Sequence, residues 1–172
     1  MSRLKIIVSD SSVLMDLAKV DLLEATVALP FDFMIPDVML AEELLDLGRY
    51  RAAELVALGF RSGSLNGPDV ARVFAYFREQ RRHLSLNDCF AWRLAELHEA
   101  VLMTGDGDLR RLAKQSGVEV HGLLWVIGLM ATHATCVPQL LLQSLDRLDA
   151  DVLVRVPRLQ LRMLRNKLSG RS

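Results

Sequence analysis

The chain lacks the marks of several functional classes. It has two cysteines, Cys89 and Cys136, too few for a disulfide framework. Both lie in apolar helical contexts and read as buried thiols. The four histidines, His83, His98, His121 and His133, have no zinc-ligand spacing and read as surface or helix-end residues. There is no Gly-rich phosphate loop of the Walker type and no G-x-S-x-G elbow. The longest apolar stretch, Gly122 to Ala131, is too short to cross a bilayer. No cleavable apolar leader precedes the first strand, so a cytoplasmic protein without a membrane partner is expected. Aromatics make up 6% of the chain, and Trp92 and Trp125 fall on apolar faces where core packing is expected. Neither sign of charge dominates: 21 basic and 21 acidic residues cancel. That balance argues against a protein that coats nucleic acid, though not against an enzyme that visits it.

A length of 172 residues, 51% hydrophobic, fits one globular domain with a full core. No repeat, low-complexity tract or linker divides it, so a single domain over 1–172 is expected. The charge is unevenly placed. Residues 155–172 hold Arg155, Arg158, Arg162, Arg165, Lys167 and Arg171 and no acid. The remainder is therefore net acidic, and 155–172 reads as a basic C-terminal helix and tail. Such a segment is either a solvated helix face or a surface for phosphates or a partner.

Short β-branched or apolar runs alternate with helical periodicity. Lys5 to Ser9, Phe33 to Ile35, Val101 to Met103 and Val118 to Val120 read as strands. Ser11 or Ser12 is expected to cap a first helix, Asp21 a second and Asp108 a later one. Helical spacing runs from Asp37 to Leu47 and from Arg51 to Leu58. Ser62 to Pro68 reads as a turn cluster, followed by a helix through Val70, Val73, Phe74 and Phe77. Ser85 caps a helix carrying Phe90, Leu94 and Leu97. Gly122 to Thr132 is very apolar and expected to be mostly buried. Val137 to Leu148 follows, and Pro157 opens the last helix. Strands alternating with helices predict an α/β fold of three layers, a short parallel sheet with helices on both faces. Such sheets place ligands at the carboxyl ends of their strands.

Four acids fall at such positions. Asp10 closes the first strand, Glu42 follows the second, Asp88 opens a helix, and Asp106 follows the Val101 strand. Each has a plainer explanation. Asp10 and Asp106 or Asp108 can cap helices, Asp88 completes a capping box with Ser85, and one of Glu42 and Glu43 faces solvent. Carboxylates that cannot neutralise one another need a cation, and oxygen ligands favour Mg²⁺ or Mn²⁺.

The ordered set resembles the PIN domain, the nuclease module of VapC-type toxins. The resemblance rests on Ile6-Ile7-Val8-Ser9-Asp10-Ser11-Ser12, on Ile35-Pro36-Asp37 through Glu42, on Leu84-Ser85-Leu86-Asn87-Asp88, and on Thr104-Gly105-Asp106-Gly107-Asp108. Counting from Pro36, Glu42 fills the acidic slot better than Glu43. Cys89 and Trp92 depart from the small residues more usual there, and the stretch between Leu45 and Arg82 matches nothing distinctive. The resemblance implies a PIN-like fold and metal-dependent hydrolysis of RNA phosphodiesters. It makes Asp10, Glu42, Asp88 and Asp106 the catalytic set and Asp10, Asp88 and Asp106 the ligands of Mg²⁺ or Mn²⁺. Asp108 would be an extra ligand or a helix cap. Ser11 and Thr104 would donate hydrogen bonds to the acids. Arg78, Arg81, Arg82, Arg110 and Lys114 would be phosphate contacts or solvated surface. The resemblance further implies a small antitoxin protein as partner and a homodimer. Two alternatives stand beside it. One is a catalytically silent PIN-like interaction module. The other is a haloacid-dehalogenase-like phosphatase, which requires a second aspartate where this chain has Ser12.

Overall fold

A computed structural model describes residues 4–41, 47, 50–80 and 82–170. Five strands form one sheet: β1 (Ile6–Ser9), β2 (Asp32–Pro36), β3 (Arg61–Gly63), β4 (Val101–Met103) and β5 (Val120–His121). Their order is β3-β2-β1-β4-β5 and every pairing is parallel. Every residue of β1 and β4 is buried, the pattern of strands covered on both faces. The fold is α/β with a parallel sheet flanked by helices, as the alternation predicts.

The chain runs outward from β1 to β2 and β3, then returns to place β4 on the other side of β1. The seam between β1 and β4 is therefore the topological switch point, where open α/β sheets form a crevice outside their carboxyl ends. Ser9 pairs with Met103 there, so the next residues on each strand, Asp10 and Thr104, emerge side by side.

The helices are α1 (Ser11–Lys19), α2 (Leu23–Val27), α3 (Asp37–Ala41), α4 (Ala52–Leu58), α5 (Gly67–Gln80), α6 (Leu86–Leu97), α7 (Gly107–Gln115), α8 (Leu123–His133), α9 (Pro138–Ala150) and α10 (Arg158–Leu168). Buried residues from the sheet and the helices form one continuous apolar cluster, from Ile7 and Leu14 to Val126, Leu145 and Leu161. Among the described residues no helix is long and apolar enough to cross a membrane.

Several local expectations change. Asp21 does not cap α2. It takes a left-handed φ of 61°, a conformation Asp tolerates better than most residues, and accepts a hydrogen bond from Arg147 at 3.1 Å. Arg61–Gly63, which overlaps the expected turn cluster at Ser62 and Gly63, is an edge strand paired with β2; Arg61 and Ser62 are exposed, so it gives no apolar alternation to detect. Position 63 is glycine for a packing reason: a Cβ there would lie 2.6 Å from the Leu94 side chain and the Met34 sulfur. Cys136 lies in the loop between α8 and α9 and is half-buried, whereas Cys89 is fully buried. The helix expected from Asp37 to Leu47 is seen from Asp37 to Ala41, and residues 42–46 lie outside the described residues.

The basic C-terminal helix is turned inward. Arg162 donates to Asp149 at 3.1 Å and Arg165 ion-pairs with Asp146, both acids on α9. Arg158 donates to the carbonyls of Leu148, Asp149, Asp151 and Val154 at 2.6–3.1 Å. One guanidinium thus satisfies two carbonyls of the last turn of α9, Leu148 and Asp149, and two of the segment that follows it. Arg158→Ala is expected to destabilise the protein by about 2–3 kcal/mol, since charge-assisted bonds to part-buried carbonyls are lost. Arg162→Ala, an exposed pair, should cost less than about 1 kcal/mol. Urea unfolding of the two variants measures the difference.

Candidate active site

Asp10 follows β1 and is the N-cap of α1. Its Oδ1 accepts from the Val13 backbone N–H and the Ser12 hydroxyl, each at 3.0 Å. Its Oδ2 accepts from the Thr104 hydroxyl. Ser12, not Ser11, is the hydroxyl partner. An N-cap oxygen meets the second and third helical residues, and Ser11 is the first. The expectation that a serine caps α1 and frees Asp10 is therefore corrected: Asp10 is itself the cap.

Thr104 is oriented by a relay. The Asp106 N–H donates to the Thr104 oxygen at 3.0 Å, which leaves the Thr104 proton for Asp10. Thr104 also extends the sheet, its N–H donating to the His121 carbonyl at 2.9 Å. The threonine joins the two acid-bearing loops through one hydroxyl.

Asp10 is 2% exposed, its bonds come from neutral donors, and among the described residues no cation pairs with it. Burial pushes its carboxyl up to about 6 from 3.8. The bonds from Thr104, Val13 and Ser12 pull the other way, and the charge of Asp88 adds a further push. A buried carboxylate without a counter-charge is costly when ionised.

Asp106 repeats the arrangement on the neighbouring strand. It is the N-cap of α7, its Oδ1 accepting from the Asp108 and Leu109 N–H groups at 2.9 Å. Its Oδ2 lies 3.3 Å from Arg155. Two helix N-termini thus converge on one edge of the sheet, each holding a carboxylate by one oxygen. Asp108 is not the cap of α7. Its carboxylate ion-pairs with Arg111 at 2.6 Å and faces His83 at 3.8 Å.

Asp88 realises the capping box read from the sequence: the Ser85 N–H donates to Asp88 at 2.8 Å, and Ser85 accepts from the Asp88 N–H at 3.1 Å. Its charge reaches Asp10. Glu42 and Glu43 lie outside the described residues. The adjacent Cys89 thiol is pushed up to about 12, first by burial and then by Asp88, which leaves it protonated and inert as a nucleophile.

The structure therefore brings Asp10, Thr104 and Asp106 together, with Asp88 within electrostatic reach. Among the described residues no three His, Cys, Asp or Glu side chains converge on one point. The donor chemistry at Asp10 nevertheless fits a hard divalent cation: a buried carboxylate with neutral donors and a second acid nearby needs positive charge. Of the basic residues expected near the acids, Arg110 is placed there, donating to the Thr104 carbonyl at 2.9 Å. Sequence reasoning missed Ser12, whose role depends on its place in the first turn, and the contact of Arg155 with an acid 49 positions earlier.

Asp10→Asn keeps the shape and the bonds from Ser12 and Val13 to Oδ1 while removing the buried charge; its amide N–H donates to the Thr104 oxygen instead of accepting from it. A carboxyl raised in the folded state costs stability above its folded pKa and nothing below its unfolded one. The metal-free variant should therefore gain about 1–2 kcal/mol on the parent between pH 5 and pH 8. Denaturant unfolding in EDTA at the two pH values measures this; a gain that is equal at both would mean the charge is not the cause.

A protein-family model described as a PIN domain matches residues 6–168 of the chain. No curated protein matches it significantly.

Proposed function

The chain belongs to the PIN-domain family, and on that premise we propose that it is a metal-dependent endoribonuclease, the toxin of a toxin–antitoxin pair. PIN domains are generally nucleases and typically use divalent metals. The observation that carries the reading is Asp10: a buried carboxylate at the sheet's switch point, bonded by neutral donors and lacking a cationic partner among the described residues. A group held in that state caps its helix but lacks the positive charge that a bound cation would bring.

Asp10, Asp88 and Asp106 would hold Mg²⁺ or Mn²⁺, with Glu42 as the fourth acid of the set. A bound divalent cation supplies positive charge at the phosphate under attack and acidifies the attacking water. The chain's own residues set the geometry. Val13 and Ser12 fix one oxygen of Asp10, and Thr104 fixes the other. The bond from the Asp106 N–H to Thr104 couples the β1 and β4 loops, so the two acids hold a constant relation. Loss of a supporting group of this kind typically costs about 10- to 100-fold in metal affinity or activity. Ser12 takes the supporting role first expected of Ser11. Asp108 is a weaker candidate ligand, given its pairing with Arg111 and His83.

A small antitoxin protein as partner and a homodimeric state belong to the same proposal and rest on the family resemblance. A second reading, a silent interaction module, draws on one observation: Arg155 lies 3.3 Å from Asp106, where a cation would bind.

The test is cleavage of a labelled single-stranded RNA with Mn²⁺, with Mg²⁺ and with EDTA. The expected result is metal-dependent cleavage that Asp10→Ala reduces at least about a thousandfold, the scale lost with a principal electrostatic group. Thr104→Val should lower activity about 10- to 100-fold through the loss of a supporting bond. Full activity in Asp10→Ala would refute the site. No cleavage by folded protein free of any partner would favour the silent module.

A further inference from the structure

Next to the acids lies a cleft of about 780 Å³. Thr104 and Gly105 form the wall shared with the acid loop, Gly122 to Trp125 form a second wall, and 152–160 form the third. Its lining includes Arg110, Arg155, Arg158 and His121 and no aspartate or glutamate, although from outside the lining Glu119 pairs with His121 at 2.9 Å and Asp106 with Arg155 at 3.3 Å. In a chain whose first 154 residues are net acidic, this is a local concentration of positive charge. We propose that this cleft binds the backbone of single-stranded RNA beside the bond to be cut, with Arg110 and Arg155 as the phosphate contacts. The inference rests on the ribonuclease reading and deepens it.

The three arginines are not equivalent. Arg158 is committed to four carbonyls around the end of α9 and has a structural task. Arg110 spends one Nη2 bond on the Thr104 carbonyl, and its Nε and Nη1 donate to no other described residue. Gly122 makes room for this reach, since a Cβ there would lie 3.0 Å from the Arg110 Nη2. The Arg155 side chain is 76% exposed and meets Asp106 at 3.3 Å, a long contact that an incoming phosphate can replace. Its backbone is fixed against the acid loop, because a Cβ on Gly105 would lie 3.4 Å from the Arg155 carbonyl. An arginine with unspent donors suits a phosphate better than a lysine does.

The aromatic wall favours a nucleic acid over an acidic protein segment. His121 and Trp125 are stacked with centroids 4.2 Å apart and planes at 7°, and both line the cleft. Flat rings beside phosphate-binding cations are the usual platform for single-stranded bases. The rings already pack on each other and Trp125 on Phe31, so what they add to the cleft is their remaining exposed surface, which a base can cover and an acidic side chain cannot.

The test measures binding without cleavage. Fluorescein-labelled hexauridylate is titrated in EDTA, at several salt concentrations, into the full chain and its Arg155→Ala, Arg110→Ala, Arg110→Lys and Arg162→Ala variants. Thermal melts check that each is folded, and Arg155→Ala, at an exposed position, serves if Arg110→Ala does not fold. Loss of either cleft arginine should weaken binding about tenfold and lower the salt dependence by about 0.7 in log–log slope, one phosphate's worth for a single strand. A merely structural role would not change that slope. Arg162→Ala, whose arginine pairs with Asp149 outside the cleft, should bind as the parent does. Unchanged affinity in Arg155→Ala, or equal loss in Arg162→Ala, would overturn the proposal. So would hexaglutamate competing as well as unlabelled hexauridylate, which would assign the cleft to an acidic protein segment. Metal-dependent cleavage with cleft-independent binding would sink the cleft alone. Cleft-dependent binding without cleavage under any metal would sink the ribonuclease reading alone.

Discussion

The burial of one carboxylate constrains most of what surrounds it. Asp10 emerges at the seam where the strand order reverses, and the β1–β4 register sets it beside Thr104. Ionised and nearly inaccessible, it must be compensated. The protein compensates it with neutral donors: two from the first turn of α1 and one from the threonine that follows β4. Those donors hold the group in place without discharging it. The raised pKa is the measure of what they leave undone.

Asp106 meets the same demand differently. It shares the capping geometry of Asp10, one oxygen on the N-terminus of its own helix, but its other oxygen faces Arg155. That arginine comes from the segment joining α9 to α10. The segment is anchored by Arg158 on the end of α9 and by the close approach to Gly105. The C-terminal helices therefore do more than extend the core. Most of their positive charge is spent on α9, and one guanidinium is delivered to the edge of the acid loop. The result is an acidic edge bordered by a cationic cleft, an arrangement suited to a polyanion that must approach carboxylates.

The fold was legible because its signals are local. A strand such as Ile6–Ser9 is a continuous apolar run, and the helices carry apolar residues at helical spacing. The Ser85 and Asp88 capping box was visible as a four-residue pattern and formed as read. Asp10, Asp88 and Asp106 stand out in the sequence because each lies at a strand or helix end. The errors came where two residues competed for one local task. Ser11, Ser12 and Asp10 are all competent caps, as are Asp106 and Asp108. The choice is made by which oxygen meets the second and third N–H groups of the helix. β3 escaped notice because an exposed edge strand needs no apolar pattern. The role of Arg155 was hidden because composition shows a basic tail and not the acids on α9 that absorb its charge.

The central claim is that Asp10 is held for a divalent cation. Calorimetric titration of Mn²⁺ into the metal-free protein tests it directly when run at pH 6 and pH 8, in buffers of different ionisation enthalpy. Binding to a carboxyl with a pKa of about 6 displaces roughly half a proton at pH 6 and almost none at pH 8. The account predicts that release at pH 6, its disappearance at pH 8, and loss of binding in Asp10→Asn. Mn²⁺ binding that Asp10→Asn leaves unchanged, or no binding at either pH, would contradict it.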